Sequence, residues 1–131
     1  MTKAYVGNIK KAAKDNDFFR KVLFTGTKSQ LVLMSLLPGE EIGTEVHEVD
    51  QILYAVEGEG KVVLDGASKE FEKGAVACVP AGVQHNVINT DHEPMKLFTV
   101  YAPAQHAPGT IHRTKAEAEI AEGHEVEAAK V

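Results

Sequence analysis

Apolar and polar residues alternate in short runs through most of the chain, and Gly and Pro cut the runs at regular intervals. Residues 30–37 (QLVLMSLL) are almost wholly apolar and stop at Pro38-Gly39, a length that predicts a buried strand rather than a helix. Upstream, residues 18–25 (FFRKVLFT) are aromatic and β-branched as strands are, and Gly26 punctuates them. From Pro38 to Tyr101 the breaks fall at Pro38-Gly39, Gly43, Gly58, Gly60, Asp65-Gly66, Gly74, Pro80, Gly82 and Pro94. Between them lie alternating segments at 52–56, 61–64, 69–72, 76–79, 85–88 and 95–101. Short strands at this spacing predict an all-β sandwich or barrel. Asp65-Gly66, set between KVVL and ASKEFE, signals a tight hairpin.

The two ends read differently. Residues 2–17 are polar and lysine-rich, and predict either a short helix around 9–14 or a loose arm. Thr114 and Glu117 have capping-box spacing, and the Ala/Glu-rich run that follows to Gly123 predicts one exposed acidic helix. The expected division is an N-terminal arm over 1–17, a β-domain over 18–113 and an acidic helix or tail over 114–131. No repeat of fixed period is present.

With 131 residues the chain is one domain's length, and 44% hydrophobic with 25% charged residues is the balance of a soluble globular protein. The charge sum is 14 − 19 = −5, so the global positive field that favours nucleic acid or an anionic membrane is missing. A lone cysteine, Cys78, excludes an intramolecular disulfide. No apolar run reaches the length of a membrane span, and no apolar stretch follows the N-terminal lysines as in a secretory signal. The expectation is a cytosolic protein that binds neither nucleic acid nor membrane.

The candidate chemistry lies on two segments. Glu45, His47 and Gln51 share parity, so in extended chain Glu45 and His47 project to one face, and Gln51 joins them if the chain continues or bends gently. His85 comes from a later strand, after the loop PAGVQ. Metal ligation would give such polar groups a reason to lie inside a β-domain, where unpaired burial is costly. On spacing alone the competing reading, Glu and Gln facing solvent, stays open.

The stretch from Gly39 to Gly58, with Glu45, His47 and Gln51 inside it, resembles the first motif of the cupin family: Gly, five residues, His-x-His, three or four residues, Glu, six residues, Gly. The stretch Gly74, Pro80, Gly82, His85, Asn89 is similar to the second cupin motif at every defined position. The motifs stand in order with 15 residues between them and cover about 40% of the chain. The whole chain also looks like small single-domain cupins of the cupin-2 conserved barrel type. The resemblance implies a small antiparallel β-barrel (double-stranded β-helix, or jelly roll) with a divalent metal inside. Glu45 takes the place of the family's first histidine, His47 matches the second, Gln51 takes the place of the glutamate, and His85 matches the last histidine. Both replacements can coordinate through oxygen, and the ligand charge stays at a single negative unit. Two nitrogen and two oxygen donors without thiolate suit Mn²⁺ or Fe²⁺, with Ni²⁺, Zn²⁺ or Cu²⁺ able to enter by raw affinity. Octahedral coordination would leave two positions for a hydroxy-acid, enediol or sugar oxygen pair. The implied functions are isomerase, dioxygenase or lyase chemistry on a small polar metabolite, with Glu45 as a mobile ligand or base; the alternative is a non-catalytic small-ligand-binding or sensor barrel.

Other residues carry blander expectations. Cys78 reads as a small core residue, and Asn89 as a residue that fixes a turn. Gly58-Glu59-Gly60-Lys61 reads as a hairpin corner rather than a phosphate loop. Tyr54, Phe98 and Tyr101 are candidates to line the barrel mouth. His106 and His112 could cover its open end or a subunit interface, while His92 and His124 read as solvated. Arg20, Lys21, Lys61 and Arg113 are the basic residues available to a phosphate. A homodimer is implied by the family, with Phe18, Phe19, Val22 and Phe24 as its apolar surface.

Overall fold

The apolar run at 30–37 owes its length to being covered on both sides. In the computed structural model, which describes residues 3–130 and side chains through residue 122, it forms β2 (Gln30–Leu36). Val32, Met34 and Leu36 join the main core, while Leu33 on the other face packs with Val56 under helix α1 (Ile9–Asp15). That helix starts at Asn8, whose side chain accepts the Lys11 N–H at 3.0 Å, and it buries Ala13 completely. Lys96, also on the α1 side of the sheet, is buried with its ammonium 3.0 Å from Asp17.

The remaining strands are β1 (Arg20–Thr25), β3 (Asp50–Glu57), β4 (Glu59–Leu64), β5 (Ala67–Glu72), β6 (Val76–Val79), β7 (His85–Asn89), β8 (Met95–Ala102) and β9 (Ile111–His112). They pair antiparallel into a six-stranded sheet, ordered β6-β3-β8-β2-β1-β9, and a three-stranded sheet, ordered β5-β4-β7. The core lies between the sheets, where Val62, Phe71 and Val87 of the smaller meet Val32, Leu53 and Leu97 of the larger. The punctuation predicts a sandwich or barrel and the family resemblance a jelly roll, and the structure is a jelly roll of two facing sheets rather than a closed barrel.

Turn chemistry fixes the register around the site. Asp65 and Gly66, at φ 48° and 84°, turn β4 into β5 in the left-handed conformations that a tight hairpin requires. Gly60 sits where a Cβ would run into the Ile88 carbonyl, so the strand pair β4–β7 closes only over glycine. Asn89 gathers the Leu36, Leu37 and Glu93 carbonyls with its amide N–H groups at 3.0, 3.1 and 2.9 Å, and thereby fixes the turns that flank β2 and β7.

Several expectations change. Cys78 is exposed: Ala77 and Val79 take the inward positions of edge strand β6, so the residue between them points out. Phe19 and Val22 are buried in the core and provide no intersubunit surface. Helix α2 (Lys115–Lys130) continues past Gly123, and its cap is the Thr114 hydroxyl accepting the Glu117 N–H at 3.1 Å. His92 is exposed, whereas the side chain of His124 lies outside the described residues.

Candidate metal centre

The residues 45–51 are not one strand. Glu45 makes an isolated bridge with His85, exchanging both backbone N–H···O=C bonds at 2.9 Å. The chain then bends at residues 48–49 before β3 begins. Two bonds hold the bend against the loop before β7: Gly82 N–H donates to the His47 carbonyl at 2.8 Å, and Ala81 N–H to the Asp50 carboxylate at 3.0 Å. Glu45 is thus pinned beside His85 by the backbone, and His47 beside both by its position two residues on.

Glu45, His47 and His85 offer ligand atoms that all lie within 4.8 Å of one another. The Glu45 carboxylate stands 3.4 Å from His47 Nε2 without a hydrogen bond, and the two imidazole centroids are 5.1 Å apart. His85 Nδ1 lies 3.0 Å from the Val83 carbonyl and donates to it, which leaves the Nε2 lone pair free. Gln51 comes from β3, where it faces Tyr101 of β8 across the sheet. Its amide N–H donates to Thr99 Oγ1 at 3.0 Å, so the carbonyl is the free end.

That free carbonyl oxygen, His47 Nε2 and His85 Nε2 are all buried and have no partner among the described residues. A stranded buried polar atom costs about 1–3 kcal/mol, so a group of them beside a carboxylate is expensive unless a ligand fills it. The donor set is two imidazole nitrogens and two oxygens, of which His85 and Gln51 are aimed by hydrogen bonds of their own, and it fits a divalent cation.

Electrostatics agree with that use. Burial pushes the Glu45 carboxyl up from 4.5 to about 7, against the pull of the Arg20 guanidinium. Burial, with His85 and Arg20 nearby, pushes the His47 imidazole down from 6.5 to about 4, so it is neutral and able to ligate near neutrality. Of the ligand candidates Glu45 is the wettest, with 22% of its side chain exposed against 7% for His47.

The three aromatic residues separate. Tyr101 faces inward, buried, with its ring 5.8 Å from His47 and 5.2 Å from His106. Burial raises its phenol well above the usual range. Tyr54 and Phe98 stack on each other at 5.1 Å on the opposite face, under α1, because they have the other strand parity from Gln51 and Tyr101. They do not line the site. His106 does approach it: Gln30, fully buried, accepts the His106 N–H at 3.0 Å and donates to its carbonyl at 2.7 Å, holding the ring against Tyr101. The ring's Nε2 is buried and unpartnered, and burial with Arg20 close by lowers its pKa to about 3. Arg20, named above among the basic residues available to a phosphate, is interior, with 2% exposure. Its parity with Val22 was the available signal.

Comparison with known proteins agrees with this geometry. Residues 32–101 match the family model described as a cupin domain. The uncharacterized protein YrkC of Bacillus subtilis is 46% identical over 129 residues, which span 92% of this chain and 68% of that protein. The crystal structure of BH2720 from Bacillus halodurans superposes with a TM-score of 0.88 at 41% identity, covering 90% of this chain and 95% of that one. A Thermotoga maritima protein described as a predicted oxalate decarboxylase superposes with a TM-score of 0.56 at 25% identity, covering 59% and 69%. Among the described residues no helix is long and apolar enough to cross a membrane.

Proposed function

Because the chain belongs to the cupin domain family, we propose that it holds a divalent metal on Glu45, His47, Gln51 and His85 and acts there on a small polar metabolite. The observation that carries this is the cluster of Glu45, His47 and His85, whose ligand atoms lie within 4.8 Å of one another and whose two imidazole Nε2 atoms are buried without a hydrogen-bond partner, as is the Gln51 carbonyl oxygen. Mn²⁺ or Fe²⁺ suits the donors best. A bound ion would supply Lewis acidity toward two oxygens of a hydroxy-acid, enediol or sugar.

The chain's own residues divide the remaining work. Thr99 and the Val83 carbonyl aim Gln51 and His85. His47 stays neutral because burial disfavours its cation. Glu45, at the solvent side, is the ligand placed to exchange a proton with a substrate or with water. Tyr101 and His106 wall the space beyond His47. Reaction at the centre, of the isomerase, dioxygenase or lyase type, is the reading favoured over passive binding, in keeping with the activity ascribed to the Thermotoga relative. The same proposal takes the protein as a cytosolic homodimer. Ile52 and Val76, exposed near edge strand β6, together with the partly exposed Phe18 and Phe24, are apolar surface available for contact.

Elemental mass spectrometry on protein purified without a histidine tag tests the centre. Near-stoichiometric Mn or Fe is expected, and its loss in Glu45→Ala and His85→Ala. No metal in the wild type, before or after reconstitution, would refute it.

A further inference from the structure

A recess of about 310 Å³ opens between helix α1, strand β3 and the turn that joins β5 to β6. It lies on the α1 side of the larger sheet, the face opposite to Gln51 and the candidate metal centre. Tyr54 and Val56, two apart on β3 and therefore on one face, form its apolar floor. Tyr54 is held there by stacking on Phe98. The walls carry Lys10 and Lys14 from α1, and Lys73 and Gly74 from the turn.

Positive charge gathers here against the sign of the whole chain, which is −5. Lys10 and Lys14 stand four residues apart on one helix, where like charges repel. Asp15, the acidic residue of α1, is committed to Lys11 at 2.8 Å. Lys14 meets Glu57 at 3.5 Å, while Lys10 and Lys73 form no ion pair among the described residues. The backbone sets Lys73 in place: its N–H donates to the Gly58 carbonyl at 3.1 Å, and the Gly74 N–H to the Ala55 carbonyl at 2.9 Å. On its other side Lys73 adjoins Glu72, Asp91 and Glu93, but no carboxylate lines the recess itself. Three ammonium groups, offset only by Glu57, leave two positive charges at its walls.

We propose that this recess binds a small phosphate monoester whose organic part is a flat apolar ring. The ring lies on Tyr54 and Val56, and the phosphate sits among Lys10, Lys14 and Lys73. A phosphate monoester carries about −1.5 to −2 near neutrality, which answers the two uncompensated charges. A carboxylate would leave one of them unanswered. Ammonium groups hold phosphate as point charges, without the two-point fit that a guanidinium gives a carboxylate. The aromatic floor adds a surface that inorganic phosphate cannot use. A volume of about 310 Å³ suits a single-ring ligand, since small-molecule sites begin at about that size. The site does not depend on the metal reading, because it lies on the other face of the sheet.

The test is calorimetric titration of the protein as purified with phenyl phosphate, phenol and inorganic phosphate. Phenyl phosphate is expected to bind more tightly than either fragment by roughly tenfold, the size of an aromatic stacking contribution. Replacing two exposed cations together, Lys10→Gln with Lys73→Gln, should weaken phenyl phosphate by roughly two- to twentyfold. Tyr54→Leu should weaken phenyl phosphate and leave inorganic phosphate unchanged. Lys28→Gln, at an exposed lysine between β1 and β2, should change nothing. His85→Ala should also leave phenyl phosphate affinity as in the wild type, which separates this site from the metal centre. No binding of phenyl phosphate, or binding no tighter than that of inorganic phosphate, overturns the proposal. So does an affinity that survives the double lysine variant, falls equally in Lys28→Gln, or is lost in His85→Ala. If circular dichroism shows Tyr54→Leu unfolded, the lysine variants decide, since those side chains are exposed.

Discussion

Metal affinity should depend on pH through Glu45. Its carboxyl is pushed up from 4.5 to about 7 by burial, so in the metal-free protein it keeps its proton until near neutrality. Ligation requires the carboxylate, and the proton must leave. The apparent affinity is then level above about pH 7 and falls tenfold, or about 1.4 kcal/mol, for each unit below it. Between about pH 8 and about pH 5.5 the loss is about thirtyfold, or about 2 kcal/mol. His47 adds nothing to this slope, since its pKa lies at about 4 and the ring is already neutral throughout the interval. The assay is competition for Mn²⁺ against a chelator of known pH dependence, with proton release read by calorimetry in buffers of different ionisation enthalpy. Glu45→Gln should bind more weakly and lose this slope. A flat wild-type profile, or the same slope in Glu45→Gln, would refute the assignment of the titrating ligand. Folding stability of the metal-free protein carries two opposed contributions. Glu45, raised in the fold, stabilises below pH 4.5 and loses that contribution as pH climbs through about 7. His47 and His106, lowered in the fold, stabilise above pH 6.5, and that contribution is lost as pH falls toward about 4 and about 3.

Thr99→Val should weaken Mn²⁺ binding by roughly ten- to a hundredfold, because Thr99 Oγ1 is what the Gln51 amide donates to and outer partners of ligands carry effects of that size. It should also destabilise the metal-free protein by about 1–3 kcal/mol in urea unfolding, from the stranded amide; a neutral result in both assays would show that Gln51 does not ligate. Gly60→Ala should lower stability by about 1–3 kcal/mol or more, since the added Cβ meets the Ile88 backbone rather than a side chain able to move. Unchanged unfolding of Gly60→Ala would mean that the β4–β7 pairing is looser than the structure has it.

The strands were legible because each carries its own signals: the breaks at Gly58, Asp65-Gly66, Gly74 and Pro94 all fall between strands of the structure. Strand β9 was not, since two residues pairing with Arg20 and Lys21 hold no period to read. The cluster of Glu45, His47 and His85 was legible from parity and from the cupin motifs, although the motif alone does not reveal the bend at residues 48–49 that separates it from Gln51 on β3. Cys78 was misplaced because periodicity gives the alternation but not its phase, and the phase of β6 is set by Val79 pairing with Gln51. The same parity argument places Tyr54 outward once Gln51 is taken as inward. The burial of Arg20 was not legible for another reason. Its parity with Val22 makes it interior, but a charge at an interior position contradicts the usual preference, and its partners His112 and Glu122 lie 92 and 102 residues away.

The carboxylate stands at Glu45, where the cupin motif has its first histidine, and an amide at Gln51, where the motif has its glutamate, and burial accounts for the placing of each. Gln51 is 3% exposed, with its amide already committed to Thr99, and a carboxylate there would give up nearly all its hydration. Glu45 keeps partial access to water and sits within the field of Arg20, which lowers the cost of its negative charge. The carboxylate thus stands at the position that can bear it.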